Sequence, residues 1–357
     1  MMSAFGLEDL PVFLIYDGQA LNGGKADRDV VNQLDAVEAA LIDFGCVVRR
    51  LAADLDFAGL KETFQREKPR LVFNLVESLD GADRLQTLIP LFLENWRLPF
   101  TGSGSTALFL SNHKILAKRI MAAQGIATPA AAWLENGSLA FFPENGTGMF
   151  ENGDWLIKTV DSHASVYIDD HSLLRQPDAA GLAERLREAE AAFTQPFFAE
   201  RFVKGREFNV GILEGENGRP EILPVAEIDF SLLSPDRPPL VGYAAKWHEE
   251  SEEYRATRRV FPVGSQDEGL TRELADMALA VWQSFGLAGY ARVDFRVDGE
   301  GRPFVLEANA NPCLAPDAGF AAAAERIGFG YSVLVRRISL AGLRRSAPSP
   351  ESPHPGG

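Results

Sequence analysis

Residues 289–314 read Gly-Tyr-Ala-Arg-Val-Asp-Phe-Arg-Val-Asp-Gly-Glu-Gly-Arg-Pro-Phe-Val-Leu-Glu-Ala-Asn-Ala-Asn-Pro-Cys-Leu. Two β-patterned runs flank the turn-rich Asp298-Gly299-Glu300-Gly301-Arg302, which is a hairpin signal. Strand side chains alternate between faces, so Val293, Phe295 and Val297 share one face and Arg292, Asp294 and Arg296 the other. On the second strand the same alternation makes Phe304, Leu306 and Ala308 the apolar set, with Glu307 and Asn309 opposite. The hairpin therefore gathers Asp294, Glu307 and Asn309 on one surface, with Arg292 beside them. Magnesium takes hard oxygen ligands and usually only one or two carboxylates, leaving positions for phosphate and water. An arginine alongside can stabilise negative charge developing on a carbonyl or phosphoryl group. The plain alternative is a sheet with one solvated, charged face. The run Leu-Glu-Ala-Asn-Ala-Asn-Pro, with its alternating Asn and chain-stopping Pro312, is more than such a face requires.

The chain around this stretch is 357 residues long, enough for more than one domain and a sizeable core. Its formal charge of −15 argues against nucleic acid as a partner, since a polyphosphate needs a basic footprint. A single nucleotide needs only a few local cations. Cys46 and Cys313 are its two cysteines, too few for a disulfide framework or a structural zinc site. No run reaches membrane-spanning length and no basic leader precedes the first strand, so a cytoplasmic setting is expected.

Upstream, Pro11–Tyr16 reads as a buried strand and Asp17–Asp29 as a polar loop. Leu34, Val37, Leu41 and Phe44 fall at helical spacing, with Gly45 at the C-cap. Cys46–Val48 and Leu71–Leu75 read as further strands, and Leu85, Leu88, Ile89, Phe92 and Leu93 as a helix. This alternation predicts a doubly wound α/β unit, closed by Pro99-Phe100-Thr101-Gly102-Ser103. Ser111 or Asn112 is placed to cap a helix that carries Ile115, Leu116, Ile120 and Met121, with Lys114 in its first turn. A lysine there is unfavourable unless an anion is near. Residues 135–153 read as loops. Lys158 lies inside the strand Trp155–Val160, where its amine needs a partner. Phe197–Val203 and Phe208–Leu213 read as two strands joined by a turn at Lys204–Glu207. Residues 231–262 form a long lid-like segment, Thr271 is placed to cap a helix ended by Gly286, and residues 346–357 read as a disordered tail. The expected units are 1–105, 106–195 and 196–345.

Arg-x-Asp-Phe, a hairpin and Leu-Glu-x-Asn-x-Asn-Pro together resemble the metal-binding end of ATP-grasp enzymes, and most of all the D-alanine–D-alanine ligases. The resemblance extends from residue 11 to residue 343. It implies an ATP-grasp fold, with an N-terminal doubly wound α/β domain and two α+β subdomains that clasp ATP. It implies that Asp294, Glu307 and Asn309 bind two Mg2+ ions, with Mn2+ as an alternative. Lys114, Lys158 and Lys246 would meet the phosphates, and Ala164 and Ser165 would lie in the loop that covers them. Glu200, Arg201 and the backbone of Phe202 and Val203 would contact adenine, and Glu207 the ribose. Arg292 would steady an oxyanion. His163, in a loop where the family carries glycine, is a candidate for a substrate or phosphate contact.

The substrate half departs from that family. Its Glu, Ser and Tyr around the first amino acid match Asp29, Ala164 and Trp247 here. Its oxyanion-hole Gly matches Cys313, and its Ser for the second carboxylate matches Ala318, followed by Gly319. The resemblance thus implies an ATP-dependent ligase that joins small carboxylate and amine substrates into an amide or dipeptide, with altered amino-acid specificity. It also implies a homodimer. An authentic D-alanine–D-alanine ligase, a phosphotransferase and a non-catalytic nucleotide-binding module are the alternatives.

Overall fold

The computed structural model describes residues 6–21, 25–143, 153–162, 168–234, 236–242, 250–262 and 267–345. Within them the strands form three sheets. The first is parallel, with Pro11–Asp17 between Val47–Ala53 and Leu71–Asn74. The alternation along its central strand accounts for the continuous apolar run. Val12 and Leu14 enter one hydrophobic cluster with Leu34, Val37 and Leu41 of the helix Lys25–Asp43. Phe13 and Ile15 enter another with Leu60, Phe64, Ile89 and Leu93. A parallel strand covered on both faces needs apolar residues at every position. The C-terminal helix Tyr331–Arg345 packs on the first of these faces through Leu334, Val335 and Ile338.

The second sheet is antiparallel, in the order Ser138–Phe142, Ala131–Glu135, Phe197–Arg201, Trp155–Thr159, Leu173–Leu174. The helix Ala179–Phe193 lays Leu182 and Leu186 on Trp155, Ile157, Phe197 and Ala199. Asp178 caps that helix by accepting from the Gly181 N–H. The stretch read as loops at 135–153 therefore begins with a hairpin, turned at Asn136 and Gly137, which both have positive φ.

The third sheet runs Arg258–Val260, Ala226–Asp229, Gly205–Glu214, Tyr290–Asp298, Pro303–Asn309, with Pro220–Ile222 paired to Gly205–Glu214. Phe208, Val210, Ile212, Val293 and Phe295 face a core closed by the helices Glu268–Phe285, Ser105–Asn112 and Lys114–Ala123. On the other face Glu207, Asn209, Arg292, Asp294 and Arg296 line a cleft together with residues of the second sheet.

Other local readings fail as well. Phe197–Arg201 and Gly205–Glu214 are not a hairpin: the first pairs with Trp155–Thr159 and the second with Tyr290–Asp298, so the chain changes sheets at Phe202–Lys204. Gly205 allows this crossing, because at φ +149° a Cβ would strike the Val297 carbonyl. Ser111 and Asn112 do not cap the helix bearing Lys114. They end the preceding helix Ser105–Asn112, and His113 is the cap, its Nδ1 accepting from the Leu116 N–H at 3.3 Å. Thr271 lies inside the helix Glu268–Phe285, where its hydroxyl donates to the Glu268 carbonyl at 3.2 Å. The apolar set of the second hairpin strand is corrected too. Asp294 pairs with Glu307 but Phe295 pairs with Val305, so Leu306 is an extra residue, a β-bulge. Val305 and Ala308 enter the core, while Leu306 lines the cleft. No helix among the described residues is long and apolar enough to cross a membrane.

Candidate active site

A cavity of about 860 Å3 lies between the second and third sheets and reaches the C-terminal ends of the first sheet's strands at Asp17 and Glu77. Arg292, Asp294, Glu307 and Asn309 meet on one wall, as the alternation predicted, because Arg292 pairs with Asn309 and Asp294 with Glu307 across the ladder. Arg292 grips Asp294 through both oxygens, Nε to Oδ1 at 2.7 Å and a second guanidinium nitrogen to Oδ2 at 2.8 Å. Burial alone would lower the Arg292 guanidinium, but the charge and hydrogen bonds of Asp294 hold it above its ordinary value. Asn309 donates to Asp294 at 3.0 Å and to Glu307 at 3.3 Å. Asn209, from the neighbouring strand, donates to Asp294 at 2.7 Å.

No group of three His, Cys, Asp or Glu side chains with metal-binding geometry occurs among the described residues. The donor set on this wall is two carboxylates and an amide. That set fits Mg2+, which takes few protein carboxylates and completes its shell with phosphate and water. Asn309 presents its NH2 to the two acids here. An amide's orientation follows its partners, and a cation between the acids would favour the oxygen.

The opposite wall carries lysines. Lys158 donates to Glu200 Oε2 at 2.7 Å, and Lys118 pairs with Glu200 Oε1 at 3.0 Å. Lys118 is 0% exposed and also bonds the Thr128 hydroxyl and the Pro129 carbonyl, each at 2.9 Å. Burial alone would raise the Glu200 carboxyl, but these two ammoniums hold it below the usual range. Both Glu200 oxygens thus face lysines, so an adenine contact would have to share an acid already committed within the fold. Lys114 begins its helix and is buried against the Ser162 carbonyl. Burial pushes its ammonium below the ordinary value, and Glu307 across the cleft partly offsets this.

At the crossing between sheets, Arg201, Phe202 and Val203 line the cavity. The Phe202 N–H already donates to the Asp154 carbonyl at 2.9 Å. Glu207 pairs with Arg296 at 3.3 Å, whose guanidinium lies 4.9 Å from the Phe202 ring centre and 5.6 Å from that of Phe230. Cys313, Ala318 and Gly319 line the same cavity. The Cys313 sulfur turns back to accept from the Ala315 N–H at 3.5 Å. Asn311 ties this loop to the first sheet, accepting from the Tyr290 hydroxyl at 2.6 Å and donating to the Val76 carbonyl at 3.0 Å.

Several expected residues lie outside the described residues: His163, Ala164, Ser165, Lys246, Trp247, the side chain of Asp29, and the tail 346–357. The backbone of Asp29 falls in the helix Lys25–Asp43, where a loop was expected. Lys118, Asn209 and Arg296 were missed, although each had a signal. Lys118 is four residues from Lys114, on the same helix face. Asn209 and Arg296 alternate with core residues in their strands.

The family model described as "D-ala D-ala ligase C-terminus" matches residues 178–339. A D-alanine–D-alanine ligase of Synechococcus sp. (strain JA-2-3B'a(2-13)) is 31% identical over 91% of this chain and 93% of its own. One from Synechococcus sp. (strain JA-3-3Ab) is 32% identical over 78% and 80%. An uncharacterized Sinorhizobium fredii protein, y4sG, is 28% identical over 87% of each chain. Among solved structures, the D-alanine–D-alanine ligase of Bacillus anthracis complexed with ATP superposes with a TM-score of 0.70 at 18% identity, covering 94% of this chain and 98% of that one. The ATP-grasp arrangement expected from the hairpin is thus found along nearly the whole chain, and the chain belongs to the D-alanine–D-alanine ligase family of ATP-dependent carbon–nitrogen ligases.

Proposed function

We propose that this protein activates a small carboxylate with ATP and joins it to an amine, with an amino-acid preference other than two D-alanines. The carboxylate oxygen attacks the γ-phosphorus, and the bridging oxygen leaves with ADP. The amine nitrogen then attacks the acyl carbon, the bond to phosphate breaks, and the amine gives up a proton. The observation that carries this reading is the wall of Arg292, Asp294, Glu307 and Asn309 facing Lys114 and Lys158 across one cavity. Phosphoryl transfer is catalysed mainly by positioning and electrostatics, and this cleft offers both.

Asp294, Glu307 and Asn309 would hold the Mg2+ that the family uses. The chemistry it would supply there is neutralisation of phosphate charge. Arg292 is fixed by its two bonds to Asp294, so its remaining N–H groups need no reorganisation to meet a tetrahedral oxyanion. Lys114 and Lys158, with Lys246 from the expected lid, would offset the triphosphate. Arg201, Phe202 and Val203 at the sheet crossing would seat the base, and Glu207 the ribose.

The altered preference rests on Ala164, Trp247, Cys313 and Ala318, where the resemblance leads one to expect Ser, Tyr, Gly and Ser. Polar substrate groups left without partners cost about 1–3 kcal/mol each, enough to change which amino acid is used. The curated relatives named D-alanine–D-alanine ligase favour the second reading, an authentic enzyme of that specificity. The experiment is ADP and phosphate release with Mg-ATP across a panel of amino acids and small carboxylates, with mass spectrometry of the product. D-Ala–D-Ala as the dominant product would overturn the altered preference. Another amide or dipeptide would establish it, and ATP binding without turnover on any pair would overturn the ligase chemistry.

A further inference from the structure

Arg259 is absorbed by none of the roles above, yet it faces the same cavity as Arg292. It sits on the edge strand Arg258–Val260 and pairs with Ile228 across an antiparallel ladder. Cross-strand partners share a face, and Ile228 also lines the cavity. Arg258 and Val260 therefore point the other way. The Arg259 guanidinium lies over Gly319, where a Cβ would come within 3.2 Å of Nε. Its bond to the Asp317 carbonyl is long, at 3.4 Å.

The charges around it are unbalanced. Although Arg259 keeps an exposed side chain, its partial desolvation and then the like charge of Arg292 push the guanidinium below its ordinary value, while Asp317 and Tyr254 offset this only in part. Two guanidiniums directed into one cavity repel, and an anion bonded to both reverses the sign of that interaction. Ala318 lies in the same loop as Asp317 and has no hydroxyl to offer such an anion.

We infer that Arg259 is the specificity-determining residue that binds the carboxylate of the amine-bearing substrate, so that the nucleophile is an amino acid rather than a simple amine. The inference rests on the ligase reading above and deepens it. A phosphoryl group on the activated acid could meet the same pair of arginines, so the test separates the two anions.

Wild-type protein and the Arg259→Gln and Arg259→Lys variants are given Mg-ATP, the carboxylate panel and three kinds of nucleophile: each amino acid, its carboxamide and hydroxylamine. Hydroxylamine traps an acyl phosphate as a hydroxamate without needing a second carboxylate. Wild type prefers the amino acid to its carboxamide. In Arg259→Gln the amino-acid KM rises about 100-fold, the size expected when one charge-assisted hydrogen bond is removed. Its preference for the amino acid collapses, and its ATP KM and hydroxamate yield are retained. Arg259→Lys recovers most of the preference, which excludes a merely structural loss. An unchanged preference in Arg259→Gln overturns the inference. Loss of hydroxamate formation in that variant, with ATP still bound, also overturns it by assigning the anion to the phosphoryl group. Absence of ADP and hydroxamate from the wild type with every carboxylate sinks the ligase reading, and this inference with it.

Discussion

On the second sheet Glu200 is 2% exposed, and both its oxygens face ammonium groups, those of Lys118 and Lys158. On the third sheet Asp294 is 7% exposed, and its oxygens face Arg292, Asn209 and Asn309. The two acids are similarly buried, yet their partners differ in number and in kind. Glu200 is neutralised within the fold, one of its lysines being wholly inaccessible. Asp294 is held by one guanidinium and two amides, on a wall that opens to the cavity beside Glu307. Removing a partner from the first set strands a buried charge. Removing one from the second takes away a group that lines the cavity, where the Arg292 side chain keeps 22% exposure. Burial alone does not distinguish the two acids; the chemistry of the partners does.

The largest effect expected is on the third sheet. Asp294→Asn should lower ADP release by about 10^3-fold or more, roughly 4 kcal/mol of transition-state stabilisation, with a urea midpoint close to wild type. Full turnover in that variant would break the comparison. Glu200→Gln should do the reverse, costing about 3 kcal/mol of stability because Lys118 keeps its charge without its acid. A two-state urea titration reads this directly, and an unchanged midpoint would remove the structural assignment.

Acid sharpens the same contrast. The Glu200 carboxyl lies below its unfolded value of 4.5. Its contribution to stability is therefore fully present above that value and is lost as pH falls through the lower, folded one. The wild-type melting temperature should drop as pH falls below 4.5, and Glu200→Gln should flatten that limb. Equal acid slopes for the two proteins would count against the buried ion set. The smallest effect is away from the cleft. Asp178→Ala removes the cap of the helix behind the second sheet and should cost about 1 kcal/mol, with turnover unchanged.

Much of this was legible because alternation is a local property. Val293, Phe295 and Val297 against Arg292, Asp294 and Arg296 can be read from neighbours alone, and so can the buried run at Val12–Ile15. What failed depends on partners distant in sequence. Gly205–Glu214 looks like the return of a hairpin because Lys204 and Gly205 make a plausible turn, yet its partner strand is Tyr290–Asp298. Ser111 and Asn112 are better cap residues than His113 by intrinsic preference, but the helix before them had already used them. The extra residue at Leu306 hid for another reason. It is apolar in an apolar run, and nothing in its composition marks a bulge. The roles proposed at Asp29, His163, Lys246 and Trp247 concern side chains outside the described residues, so their reading still rests on the resemblance.

That extra residue also constrains how this hairpin can vary over time. The segment before Leu306 and the segment after it obey opposite parities: Pro303 and Val305 turn to the core on odd numbers, and Ala308 does so on an even one. Exchanging one side chain for another leaves both parities intact. Deleting Leu306 would merge them into one regular alternation, with Val305 and Ala308 still turned to the core and Glu307 and Asn309 still on the cleft face. In this strand the one residue that the alternation can spare is Leu306, which faces the cavity and not the core.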